Sequence, residues 1–296
     1  MANATPVGLI GIGLMGEAFA KRLIAAGETV VGYDIDAGKG ARLEALGGRT
    51  GTIETIARAC NPILVIVFDT DQVEDVIENH LLPALGDKSG RIVLAASTCD
   101  PDRIAALADR VKPRGLRFLE TPVSGTSEQV RSGQGVGLIG GDPDLANELA
   151  PVLDILYPKR FHVGAAGDGG RTKLAVNLIL GLNRAALAEG LVFAERIGLD
   201  PAAFLKVAVG SAAYSQVMDT KGTKMVRRDF TTEARARQTL KDARLMLEQA
   251  DRVGQQLPML SVHAELLQAC VAHGEGDKDN SVVAEEIRRR TKPKTM

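Results

Sequence analysis

The chain has 296 residues, 45% of them apolar and 25% charged, and 36 basic residues balance 37 acidic ones to a net charge of −1. That length accommodates two ordinary domains with a sizeable core. The charge balance excludes the basic surface that nucleic acid or an anionic membrane requires, so neither is expected as a partner.

Short apolar runs alternate with helical segments through the first half. Strands are predicted at 7–12, 29–33, 63–68, 91–97, 117–120, 135–140 and 159–163. The early runs are continuous rather than alternating, as in a parallel sheet buried on both faces. Between the first two strands lies "GIGLMG", with Gly11, Gly13 and Gly16 in G-x-G-x-x-G spacing. The first glycine makes a tight turn, the second lets a pyrophosphate approach the backbone, and the third lets helix and strand pack closely. Residues Gly11, Ile12, Gly13, Leu14, Met15 and Gly16 are therefore candidates to hold a dinucleotide on free amides at the positive end of a helix. Gly27 closes that helix. Asp34 ends the second strand, where a carboxylate accepts from the ribose hydroxyls and repels a 2′-phosphate. This points to NAD rather than NADP, with Lys39 and Arg42 further along as the only nearby cations.

Helix starts are marked by Asp100-Pro101, Asp142-Pro143 and Asp200-Pro201, and Asp71 with Glu74 has capping-box spacing. After the glycine-rich "GAAGDGG" at 164–170 the texture becomes helical, with helices predicted at 172–197, 201–209, 211–227, 232–253 and 258–273. The expected architecture is an α/β Rossmann domain, doubly wound and mostly parallel, over 1–165, followed by an all-α domain over 166–296 for substrate and oligomerisation. No apolar stretch is read as reaching the ~18–20 residues that span a bilayer. The N-terminus, with no basic region, is not read as a signal peptide. Cys60, Cys99 and Cys270 have no metal or redox spacing and are read as reduced thiols of a cytoplasmic protein. The basic run from Arg288 to Lys294 is read as a solvated end.

The stretch "RTKLAVNLILGLN" places Lys173 and Asn177 one turn apart on an otherwise apolar helix, with Leu180 and Gly181 continuing their face. Alone, the pair reads as a snorkelling lysine and a backbone-bonded asparagine. Directly after an interdomain joint it also reads as an acid–base pair beside a cofactor. Four segments resemble the β-hydroxyacid dehydrogenases: "GLIGIGLMG", "ETPVSGTSEQVRSGQG", "GDGGRTKLAVN" and "TLKDARLML". Their order spans nearly the whole chain. The resemblance implies that Lys173 is the catalytic lysine and Asn177 positions the substrate. It implies that Ser124, Gly125 and Thr126 hold the substrate carboxylate, that Phe68, Asp69 and Thr98 line the cofactor, and that Lys241 closes over it. No metal is required by that chemistry.

The expected activity is hydride transfer between NAD and a small 3-hydroxy acid or its semialdehyde, in a homodimer or homotetramer. Its rivals are an imine reductase and a non-catalytic NAD(H)-binding relative. Thr126, Val176, Glu120 and Ala234 depart from the family pattern, where a glycine, an asparagine, an aspartate and a phenylalanine are usual. Arg235 and Arg237 read as solvated helix charges, with contact to a second acidic group on the substrate as the alternative.

Overall fold

The computed structural model describes residues 5–86 and 90–291. The chain divides into two compact units, residues 1–173 and 174–296. Within the described residues of the first, nine strands form one sheet: β1 (Val7–Ile10), β2 (Val30–Tyr33), β3 (Arg49–Thr50), β4 (Ile63–Val65), β5 (Ile92–Ala95), β6 (Arg117–Glu120), β7 (Val123–Ser124), β8 (Val136–Gly141) and β9 (Lys159–Gly164). Their order is β3-β2-β1-β4-β5-β6-β8-β7, with β9 paired to β8. The strands from β3 to β6 run parallel, β8 is antiparallel to β6 and β7, and β9 is parallel to β8.

The continuous apolar runs have a direct cause. Successive residues enter opposite cores: Leu9, Val30, Leu64 and Leu94 pack with Phe19 and Leu23, while Ile10, Val31, Val65 and Val93 pack with Ile56 and Ile104. Both faces of the sheet are covered, so neither side of a strand is polar. The expected doubly wound sheet is the observed one. β3 and β7 have two residues each and carry no periodicity to read. β1, β4 and β5 stop short of the expected ends because their last apolar residues already belong to loops at the C-terminal edge.

Asp100, Asp142 and Asp200 cap their helices as expected, each accepting backbone N–H groups of the first turn. Asp71 and Glu74 do not form a cap. Asp69 takes that role, accepting from Gln72 N, while Gln72 Oε1 accepts from Phe68 N. Asp71 and Glu74 instead pair with Arg103.

The long helix Asp168–Arg196 begins in the first unit and continues in the second. In the second unit, Leu174, Leu240, Met246, Leu260 and Leu267 form one core, and Leu187, Leu191, Met225 and Val283 another. The helix expected over 211–227 forms only in its second half, as a π-turn at Met218–Gly222 running into Thr223–Arg227. Upstream, the Ser211 hydroxyl bonds Ala208 O and accepts from Ala213 N, closing a turn in place of a helix.

In the described part of the Arg288–Lys294 run, Arg289, Arg290 and Thr291 are exposed, as expected of a solvated end, and the arginines are also ion-paired. Arg288 pairs with Glu195 and Glu285, Arg289 with Glu275 and Glu286, and Arg290 with Glu265 and Glu286. Residues 292–296 lie outside the described residues. The long helix also corrects the reading of apolar length. Its 29 residues include a window of mean hydropathy 1.4, sufficient by length and composition to cross a membrane.

Candidate functional site

The loops at the C-terminal ends of β1, β2, β4 and β5 come together where the strand order reverses, between β1 and β4. The three glycines there do three different things. Gly11 has φ +97°, and a Cβ on it would lie 2.2 Å from Ile66 O. A Cβ on Gly16 would lie 2.0 Å from Gly11 O, so this glycine sets the approach of helix Leu14–Ala25 to the turn. Gly13 has nothing within 4 Å of a Cβ. It is the N-cap of that helix, and it offers no side chain to cap the first-turn amides. Ile12 and Gly16 are buried, while Leu14 and Met15 are half-buried. The geometry fits a dinucleotide pyrophosphate laid across Gly11–Gly16.

Asp34 lies beside this loop. Its carboxylate accepts from Ile12 N at 2.7 Å and Asp36 N at 3.0 Å, and pairs with Lys39 Nζ at 3.1 Å. Burial opposes its ionisation, but the two amides and the ammonium outweigh that and hold the carboxyl below its usual value. Phe68 is exposed and Asp69 half-buried at the head of helix Thr70–Asp75. Ser97 Oγ donates to Val67 O at 2.8 Å and accepts from Val67 N at 2.9 Å, tying the loop that carries Thr98 to the one that carries Phe68.

Ser124 ends β7, and Gly125 follows with φ +145°. Thr126 is a helix cap: its hydroxyl accepts from Gln129 N at 3.2 Å, and Gln129 Oε1 accepts from Thr126 N at 2.9 Å. The residue that departs from the family glycine therefore stiffens the loop through a capping box.

Glu120, at the end of β6, has a role that the sequence reading missed. It is 1% exposed, and its Oε2 accepts from Gly167 N at 2.9 Å. A Cβ on Gly169 would lie 2.8 Å from Oε2, and one on Gly170 would lie 2.7 Å from Oε1. The glycine-rich segment thus lets the start of the long helix close over one carboxyl group. Burial pushes Glu120 up to about 7, against the amides of Gly170, Gly167 and Gly169. Its neutral form is favoured in the fold. The stabilisation from holding this proton is full below pH 4.5 and is lost as pH rises through about 7. Against Glu120→Gln, the wild-type unfolding free energy should fall by about 3 kcal/mol across that window. Urea melts at several pH values measure it, and parallel curves for the two proteins would refute it.

Lys173 is 7% exposed on an early turn of the long helix, and Asn177 lies on the next turn. Asn177 Nδ2 donates to Asp242 Oδ2 at 3.2 Å, and Lys241 Nζ lies 3.0 Å from Asp242 Oδ1. Asp242 is thus the link between Asn177 and Lys241. It belongs to "TLKDARLML", where the sequence does not show which side chain turns inward. Arg235 and Arg237 pair with Asp277 at the surface, as helix charges.

Residues 6–164 match the family described as the NAD binding domain of 6-phosphogluconate dehydrogenase. Residues 167–287 match the one described as NAD-binding of NADP-dependent 3-hydroxyisobutyrate dehydrogenase. A chloroplastic glyoxylate/succinic semialdehyde reductase 2 of Arabidopsis thaliana is 31% identical over 95% of this chain and 79% of its own. The 2-hydroxy-3-oxopropionate reductase of Escherichia coli (strain K12) is 29% identical over 95% of this chain and 96% of its own. A crystal structure of a 3-hydroxyisobutyrate dehydrogenase from Salmonella typhimurium superposes with TM-score 0.86 at 24% identity, covering 95% of this chain and 99% of that one.

Proposed function

Because the chain belongs to the β-hydroxyacid dehydrogenase family of NAD(P)-dependent oxidoreductases acting on CH–OH, we propose that it oxidises a small 3-hydroxy acid, or reduces the semialdehyde, with Lys173 as general acid/base. The observation that carries this reading is the buried Lys173 followed one turn later by Asn177, itself held by Asp242.

In this mechanism the Ser124 hydroxyl and the Gly125 amide hold the substrate carboxylate, and the capping box at Thr126 keeps their loop in place. Asn177 orients the substrate hydroxyl. Lys173 Nζ takes the hydroxyl proton as the same carbon gives up hydride, and returns it in the reductive direction. When bound, the nicotinamide supplies the hydride acceptor. Gly11, Ile12, Gly13, Leu14, Met15 and Gly16 hold the pyrophosphate, with Phe68, Asp69 and Thr98 lining the cofactor and Lys241 closing over it. Asp34, kept ionised by its amides, binds the ribose hydroxyls and disfavours a 2′-phosphate, so NAD is the proposed cofactor. The test is initial rates of NAD⁺ and NADP⁺ reduction across a panel of 3-hydroxy acids. At least one acid should be oxidised, with NAD⁺ favoured in kcat/KM. Cofactor binding without turnover in either direction would sink the reading.

The assembly forms part of the same proposal. Ile179 and Phe193 are 62% and 63% exposed on one stripe of the long helix, and Ile197 continues it at 58%. An apolar stripe of this size needs cover. A second copy of the chain, in a homodimer or homotetramer, supplies it without placing Lys173 and Asn177 in lipid. Light scattering on the purified protein should give a dimer or larger, and Phe193→Asp should shift it towards monomer. A wild-type monomer at micromolar concentration, or recovery in the membrane fraction, would refute this. The buried Cys60, Cys99 and Cys270, all unbridged, support a reducing, cytoplasmic setting.

A further inference from the structure

The face of the long helix that carries Asn177 continues through Gly181 to Arg184, which is seven residues on and so about 10 Å along the axis. Arg184 Nε and Nη1 are buried with no hydrogen-bond partner. His263 lies against the same face. It is 2% exposed, and a Cβ on Gly181 would lie 3.3 Å from its ring, so glycine is what lets the imidazole approach. Neither ring nitrogen of His263 has a partner. The anion whose charge reaches Arg184 is Asp279. That carboxylate is already bound by Lys221 at 2.9 Å, by the amides of Glu233 and Ala234 at 3.0 and 3.1 Å, and by Ser281. A buried guanidinium with orphaned donors is costly unless an anion completes it. Burial and the Arg184 charge push His263 down to about 4, as expected beside an uncompensated cation.

We propose that Arg184, with His263 beside it, binds a second carboxylate on the substrate, so that the preferred acid is a short dicarboxylate whose distal group lies beyond the carbon handled by Lys173 and Asn177. The inference rests on the dehydrogenase reading for the position of the reacting carbon. Long side chains on a helix lean back toward its N-terminus, which for Arg184 is the direction of Asn177. A guanidinium forms two parallel bonds to a carboxylate, which fits the two orphaned donors. Arg235 and Arg237, both paired with Asp277, do not offer this.

The probes are 2-(hydroxymethyl)glutarate and 2-(hydroxymethyl)pentanoate, which share the first carboxylate and the hydroxyl and differ only in the terminal carboxylate. Wild type should favour the diacid in kcat/KM by about 10- to 100-fold, the range of charged hydrogen bonds. Arg184→Met should lose that preference while oxidising the pentanoate within about threefold of wild type, because replacing an unpaired buried cation by an apolar chain does not harm the fold. Arg184→Lys should keep part of the preference. Independently of turnover, glutarate should raise the melting temperature of wild type and not of Arg184→Met, and valerate should raise neither. Equal turnover of the two acids by wild type, or an equal glutarate shift in both proteins, would overturn the anion site. A glutarate shift specific to wild type with no oxidation of either acid would keep the site and reject the dehydrogenase reading.

Discussion

Replacing Lys173 by alanine should lower kcat for 3-hydroxy acid oxidation by about 10²- to 10⁴-fold, the usual contribution of a positioned acid/base. The Kd for NADH should stay within about threefold, because the proposed pyrophosphate site at Gly11–Gly16 is on a different element. Lys173→Arg should be no better than alanine. A guanidinium keeps its positive charge but does not release a proton near neutral pH, so it cannot take the hydroxyl proton. Steady-state rates and a fluorescence titration of NADH test both halves. The titration is clean because the chain has no tryptophan. An alanine variant that keeps a tenth of the activity would remove Lys173 from the mechanism.

The second large effect separates two glycines three residues apart. Gly13 has φ −74° and no atom within 4 Å of a Cβ. Gly13→Ala should therefore fold normally and melt within about 2 °C of wild type, since no contact is strained. Its methyl group occupies the space through which a pyrophosphate meets the backbone, and NADH affinity should fall by about 100-fold. Gly16→Ala should behave in the opposite way. Its Cβ would meet Gly11 O at 2.0 Å, a backbone atom that does not step aside. The variant should lose about 1–3 kcal/mol of stability before any question of binding arises. Thermal unfolding with and without NADH distinguishes the two. A Gly13→Ala protein that binds NADH normally would mean that the loop does not hold the pyrophosphate.

The first unit was legible because its signals are local. Of three glycines at fixed spacing, Gly11 and Gly16 each answer to one backbone atom and Gly13 to open space, and Asp100, Asp142 and Asp200 cap their helices through amides two or three residues away. Fully buried strands also announce themselves, since both faces must be apolar. What escaped depends on partners distant in sequence. Glu120 looks like an ordinary strand-end acid until Gly167, Gly169 and Gly170 close over it. Asp242 gains meaning only from Asn177, 65 residues earlier.

No element is predicted over 279–289, because the segment buries Asp279, Asn280, Ser281, Glu285 and Glu286 among its apolar residues and so presents no clear apolar period. Lys221 pairs with Asp279, Arg228 with Glu285 and Arg289 with Glu286, which makes a polar segment compatible with a core. The cap lies at Asp69, two residues before the expected Asp71, for a related reason. Both Asp69–Gln72 and Asp71–Glu74 satisfy the spacing rule, and only the tertiary pull of Arg103 on Asp71 and Glu74 decides between them.

The most direct test of the account is the fate of the hydrogen on the reacting carbon. A turned-over 3-hydroxy acid carrying deuterium at the carbinol carbon should deliver that deuterium to C4 of the reduced nicotinamide. Little label should reach solvent, and a primary isotope effect should appear once chemistry limits the rate. Reduced cofactor without deuterium, or label released to water with no reduced cofactor formed, would contradict hydride transfer at this site.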